Sequence, residues 1–362
     1  MHVIDTLDAG GAERVTVNLV NLLPRDRCRT VLCTTWRDGV LADLVAPHVA
    51  RVCLRRRRRL DLRAVNALTR AVRQHDIQVL HAHETSLFLA TAASLAPPYP
   101  AVVWHDHFGN HGIEERAAWL YGPFARRAQG VITVNEPLAS WARDRLGLPA
   151  SRVEYVPNFV CPPSGALAPA VDLPGVPGRR IVCLANFRPQ KDHLTLIRAM
   201  AALRADVPDA HLMLAGAPVD PECEAAVRAE VRALGIENAV TFLGSRRDVW
   251  SVLRASDIGV LSSASEGLPL ALIEYGVIGL AAVATDVGQC ADVLDGGRAG
   301  TLVPARSPET LREALRALLA SADRRLDLGR RLLQRIRDRY APEPRLAQVA
   351  DIYERALSSR AA

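Results

Sequence analysis

The chain has 362 residues, a formal net charge of +6 and 49% hydrophobic residues, which suits two soluble domains rather than one ordinary core. No window approaches the ~18 consecutive apolar residues of a membrane span, and Met1-His2-Val3-Ile4-Asp5 has neither the basic start nor the apolar run of a secretory leader. The seven cysteines are scattered and never form C-x-x-C, which excludes a disulfide framework or a cysteine zinc site and points to reduced thiols in the cytosol.

The chain begins almost inside its first strand. That strand runs into Asp8-Ala9-Gly10-Gly11 and then a helix with Val15, Leu19, Leu22 and Leu23 on one face. Gly10 and Gly11 let backbone approach a ligand closely, and the helix N-terminus offers free N–H groups to a phosphate or sugar hydroxyl. Val31–Thr34 is the next predicted strand. The run Arg55-Arg56-Arg57-Arg58-Arg59 follows, suited either to a solvated loop or to peripheral contact with anionic lipid. It has no interleaved aromatic residue, so a base-stacking nucleic-acid surface is excluded.

Ile77–Leu80 and Ala101–Trp104 are predicted strands, each followed at its carboxyl end by an H-x-H pair: His81 with His83, and His105 with His107. Alternate residues share a strand face, the geometry a metal site uses, but no cysteine or carboxylate cluster completes one. Val131–Val134 is a further strand. Pro157, Pro162, Pro163, Pro169, Pro174 and Pro177, with Gly165, Gly175 and Gly178, then mark an interdomain linker.

The strand–helix rhythm resumes with Ile181–Leu184, His211–Leu214, Val240–Leu243, Ile258–Leu261 and Ala282–Ala284, with amphipathic helices at 222–234 and 309–320. Such alternation implies doubly wound α/β domains with parallel sheets, whose ligands bind beyond the carboxyl ends of the strands. A last helix carries Leu346, Val349, Ile352, Tyr353 and Leu357 at helical spacing.

Lys191 is the exception among 45 basic residues, all the others being arginine. It stands with Arg188 in N-F-R-P-Q-K-D, on the loop after a strand and just ahead of a helix that Asp192 can cap. Cations are disfavoured at a helix N-terminus unless an anion offsets them, so the pair points to an anion such as a diphosphate. Downstream, S-E-G-L-P-L-A-L-I-E places Glu266 on a loop and Glu274 in the helix that follows, both addressing the strand end. The chain lacks G-x-G-x-x-G, a P-loop, G-x-S-x-G and any D-x-D pair.

These segments, together with V-P-N-F-V at 156–160 and A-T-D-V-G-Q-C-A-D-V-L-D-G-G-R-A-G at 284–300, resemble family 4 glycosyltransferases of the GT-B fold, in which two Rossmann-like domains face each other across a cleft. The resemblance implies an acceptor-side domain over 1–165, with residues 343–362 packing back on it, and a nucleotide-sugar domain over 166–342. It implies a retaining, metal-independent enzyme that moves a sugar from a UDP- or GDP-type donor to a glycan or lipid-linked acceptor in cell-envelope or exopolysaccharide synthesis. Arg188 and Lys191, with Gly10 and Gly11, would hold the donor diphosphate. Glu266 would act at the anomeric carbon, with Gly267, Leu268 and Pro269 lining the sugar, and His105 or His107 would be the N-domain histidine beside it. Glu274, Gly244 and Ser245 would hold the nucleoside.

Three departures stand out. Relatives usually begin a few residues earlier, Phe159 replaces a usual glycine, and Tyr275-Gly276 replaces a usual Ala-Met pair, a change expected to affect only packing. A nucleotide-sugar epimerase and an inactive sugar-binding subunit are the alternatives on the same fold.

Overall fold

The computed structural model describes residues 1–8, 10–108, 116–161, 173–246 and 248–361. Pro162, Pro163, Gly165 and Pro169 of the expected linker lie outside them. The chain divides into two units, Met1–Phe159 with Pro342–Ala362, and Val160–Ala341. The division falls at Phe159, which is itself 1% exposed.

The first unit is built on seven parallel strands: β1 (His2–Ile4), β2 (Val31–Thr34), β3 (Ala50–Cys53), β4 (Val79–His83), β5 (Ala101–Asp106), β6 (Gly130–Thr133) and β7 (Val153–Tyr155). Their order is β3-β2-β1-β4-β5-β6-β7, a doubly wound sheet whose order reverses between β1 and β4. β2, β5 and β6 are buried along their whole length because helices cover both faces. Val3, Cys33, Ala82 and Trp104 pack on one face, while Ile4 and Leu32 join Val17 and Val20 of the helix Gly11–Leu22 on the other.

The terminal helix Pro342–Ala361 lies against this sheet. It buries Leu346, Val349 and Ile352, and Gly130 leaves just enough room for Ile352, since an added Cβ would stand 3.1 Å from its side chain.

The second unit carries β8 (Arg180–Leu184), β9 (His211–Ala215), β10 (Val240–Gly244), β11 (Ile258–Leu261), β12 (Ala281–Thr285) and β13 (Thr301–Val303). All are parallel, in the order β10-β9-β8-β11-β12-β13, with the reversal between β8 and β11. Both units are therefore Rossmann-like α/β domains.

The helix Leu270–Val277 packs closely beneath β11. Gly259 provides the space, because a Cβ there would stand 2.5 Å from the Tyr275 ring. The Tyr275 hydroxyl accepts from the Leu184 amide at 2.9 Å and reaches the Val260 carbonyl at 3.2 Å. The expected packing role of Tyr275 is thus incomplete: it also ties β8 to β11 by hydrogen bonds just below the ligand edge.

Candidate active site

In the second unit three loops converge at the sheet's reversal point. After β8, Pro189–Lys191 forms a tight turn, and Asp192 follows at φ 45, a left-handed value that aspartate tolerates. The Asp192 carboxylate caps the helix His193–Asp206, accepting from the Thr195 amide at 3.3 Å and its hydroxyl at 2.7 Å.

The loop after β11 is stitched to this turn. The Ala264 amide donates to the Gln190 carbonyl at 2.8 Å, and the Ser262 hydroxyl reaches the Lys191 and Asp192 carbonyls, each at 3.1 Å. The loop after β12 closes the set. The Gln289 amide donates to the Gly267 carbonyl at 3.0 Å, and Gly288 (φ +53) lies so near Glu266 that a Cβ would fall 2.0 Å from its carbonyl oxygen.

This framework fixes an ion pair. Lys191 Nζ donates to Glu266 Oε1 at 2.6 Å, and the same oxygen accepts from the Ser263 hydroxyl at 2.6 Å. The Glu266 side chain is only 7% exposed and that of Lys191 23%, so the carboxylate is held rigidly while the ammonium keeps an open side. Arg188 is exposed one turn earlier. Glu274 is buried on the helix Leu270–Val277, and Pro269 stands at that helix's N-cap. Leu268 is buried beside the loop. Gly244 (φ +64) ends the edge strand β10 and Ser245 is exposed after it, with β9 standing between them and β8.

In the first unit, Gly10 is extended and N-caps the helix Gly11–Leu22, with the Glu13 side chain folded back toward it. Register explains the histidines. His2 pairs with His81 and His83 with His105 across β1, β4 and β5, so these rings share one sheet face with His107, just past the end of β5. Asp106 points the other way and pairs with Arg116. His105 and His107 therefore stand on one face, with rings stacked 3.9 Å apart.

Burial pushes all five rings below the ordinary histidine range, His107 to about 3. One ring nitrogen from each of His2, His81 and His83, and likewise of His83, His105 and His107, lies within 4.8 Å of the others. Sequence reasoning treated the H-x-H pairs alone and missed His2 and Tyr353. The parity of His2 on β1 was the available signal for the first, and only the folded terminal helix reveals the second.

Part of the arginine run is not free. Arg56 lies over the Trp36 ring at 4.5 Å with its side chain 8% exposed, while Arg57, Arg58 and Arg59 are exposed beside Leu60 and Leu62. The expected five-residue contact surface loses its second member because that guanidinium is stacked indoors. Among the described residues no helix is long and apolar enough to cross a membrane.

Two family models match: Glycosyltransferase Family 4 over residues 9–162 and Glycosyl transferases group 1 over residues 178–321. Each unit of the chain therefore carries a match to a glycosyltransferase domain. Its curated relatives include an exopolysaccharide phosphotransferase of Streptomyces coelicolor, 27% identical over 78% of this chain and 28% of that protein. A lipopolysaccharide core biosynthesis mannosyltransferase of Rhizobium leguminosarum bv. viciae is 26% identical over 64% of this chain and 66% of its own length. The chain thus spans less than two thirds of each of these two relatives. Among solved structures, Anabaena HepE in complex with UDP and glucose superposes with a TM-score of 0.82 at 19% identity, over 99% of this chain and 100% of that one. Sucrose-phosphate synthase from Thermosynechococcus elongatus gives 0.80 at 17% identity, over 99% and 100%. These likenesses establish the GT-B fold.

Proposed function

We propose that the chain transfers a sugar, with retention at the anomeric carbon, from a UDP- or GDP-type nucleotide sugar to a glycan or lipid-linked acceptor in cell-envelope or exopolysaccharide synthesis. The Lys191–Glu266 ion pair at the sheet reversal carries this assignment. It sets a mobile cation and a fixed carboxylate side by side where open α/β sheets bind ligands. Lys191 swings from Glu266 to the donor diphosphate, and exposed Arg188 joins it. These two side-chain cations then take the charge that grows on the leaving group, so the reaction needs no divalent metal.

Glu266, released from Lys191 but still held by Ser263, addresses the sugar near the anomeric carbon, with Gly267, Leu268 and Pro269 alongside. Glu274 holds the ribose hydroxyls, and Gly244 and Ser245 flank the base. From the first unit, Gly10 and Gly11 serve the diphosphate and His105 and His107 the sugar hydroxyls. The relatives named for exopolysaccharide and lipopolysaccharide core synthesis support the acceptor class.

The test is release of nucleotide from a panel of UDP-, GDP- and ADP-sugars, with and without candidate acceptors. Lys191→Ala and Glu266→Ala should abolish release from the preferred donor while the far-ultraviolet spectrum stays native. Full activity in either variant overturns the assignment.

A further inference from the structure

Five histidines and one tyrosine are joined end to end inside the first unit. His105 Nδ1 meets His81 Nε2 at 3.1 Å, and His81 Nδ1 meets the Tyr353 hydroxyl at 2.6 Å. The same hydroxyl meets His2 Nε2 at 3.2 Å, His2 Nδ1 meets His83 Nε2 at 3.1 Å, and His83 Nδ1 meets His107 Nε2 at 3.0 Å. The two nitrogens left over, His105 Nε2 and His107 Nδ1, are buried and have no partner among the described residues. Every other ring nitrogen of the set is used once.

A neutral imidazole has one hydrogen-bearing nitrogen and one bare nitrogen, and a hydroxyl donates once while also accepting. A contact with two hydrogens or with none would leave buried polar atoms unpaired, which is costly. Satisfying all five contacts therefore leaves two arrangements. In one, every histidine carries its hydrogen on Nε2, and Tyr353 donates to His81. In the other, every histidine carries it on Nδ1, and Tyr353 donates to His2.

We propose that these six side chains form a neutral proton relay whose ends, His105 Nε2 and His107 Nδ1, are always in opposite states, one bearing hydrogen and the other bare. A proton taken up at His107 Nδ1 sends the Nε2 hydrogen of His107 to His83, that of His83 to His2, and that of His2 to the Tyr353 oxygen. The tyrosine hydrogen passes to His81 Nδ1, the His81 Nε2 hydrogen passes to His105, and the His105 Nε2 hydrogen leaves. One proton enters, one leaves, and no group is left charged.

The two end rings are stacked, with centroids 3.9 Å apart, and their end nitrogens hold opposite hydrogen-bonding roles that interchange when the relay shifts. The use of the relay in transfer rests on the activity proposed above; its existence does not. Its Tyr353 link gives the terminal helix a part in the site beyond burying Leu346, Val349 and Ile352.

The test needs no sugar donor. In protein labelled with nitrogen-15 at the imidazoles, the nitrogen shift separates hydrogen-bearing from bare positions. At neutral pH the five histidines should be uncharged and share one tautomer, or one common tautomer fraction if the two arrangements exchange quickly. Tyr353→Phe, checked as folded by circular dichroism, should split the set into His81–His105 and His2–His83–His107, and shift the tautomer fraction in at least one of them.

Different tautomers among the five in the unaltered protein would overturn the relay, as would an imidazolium at any of them. Unchanged fractions in folded Tyr353→Phe would overturn the tyrosine link. A stoichiometric metal ion held by His83 after purification, found by elemental analysis and lost in His83→Gln, would also overturn it, because coordination occupies nitrogens that the relay requires.

Discussion

Gly288→Ala tests whether the position of the Glu266 backbone matters to turnover. The new Cβ would lie 2.0 Å from the Glu266 carbonyl oxygen, whereas ordinary contact begins near 3.4 Å. The loop must therefore retreat by about 1.4 Å, and a misplacement of roughly 1 Å at a reacting group can cost about 100-fold in rate. The φ of +53 at this position adds about 1–2 kcal/mol of backbone strain once a side chain is present.

Gly235→Ala is the control. Its φ is +65, but nothing lies within 4 Å of the added carbon, so it shares the strain without the collision. Nucleotide release under saturating donor and urea unfolding of each variant supply the two readouts. Gly288→Ala should lose about two orders of magnitude in kcat, and Gly235→Ala should keep its rate. Gly288→Ala within twofold of the unaltered enzyme would refute the reasoning that Glu266 must be held where this loop puts it.

Two further outcomes follow from the first unit. The buried histidines have folded-state pKa values below the ordinary 6.5, so the unfolded chain binds more protons once the pH falls below that value. Stability is therefore fully present above pH 6.5, and each such ring removes up to about 1.4 kcal/mol per pH unit as acid is added, with His107 doing so down to about pH 3. Urea midpoints should fall steeply between pH 6.5 and pH 4.5, and a flat profile would show that these rings are not buried neutral. In flotation with anionic liposomes, replacing Arg57, Arg58 and Arg59 by serine should remove salt-sensitive binding, at about 1 kcal/mol per residue. Arg56→Ser should instead lower stability, because its guanidinium lies on Trp36. Salt-insensitive behaviour of the intact protein would end the lipid-contact proposal.

The fold was legible wherever a strand is buried on both sides. Val31–Thr34 and Ile258–Leu261 are continuous apolar runs because helices cover both faces of their sheets. The unread strands β3, β7 and β13 all lie at sheet edges, where one side is open. Arg51 and Glu154 interrupt their apolar runs for that reason.

The site was legible as residue types at strand ends, but its couplings were not. The Lys191–Glu266 pair joins loops 75 residues apart, and the Tyr353–His81 contact spans 272 residues. Such pairings depend on strand order, which periodicity does not carry. Tyr275 illustrates the same limit: its ring was expected to pack, but its hydroxyl contacts with Leu184 and Val260 require β8 and β11 to be neighbours.

The most direct measurement of the central claim is the anomeric configuration of the product, read by proton nuclear magnetic resonance during turnover with an α-linked nucleotide sugar and its acceptor. An α-linked product, formed by the unaltered chain and absent with Lys191→Ala, is the predicted result. A β-linked product, or undiminished transfer by Lys191→Ala, would contradict retaining transfer through the Lys191–Glu266 site.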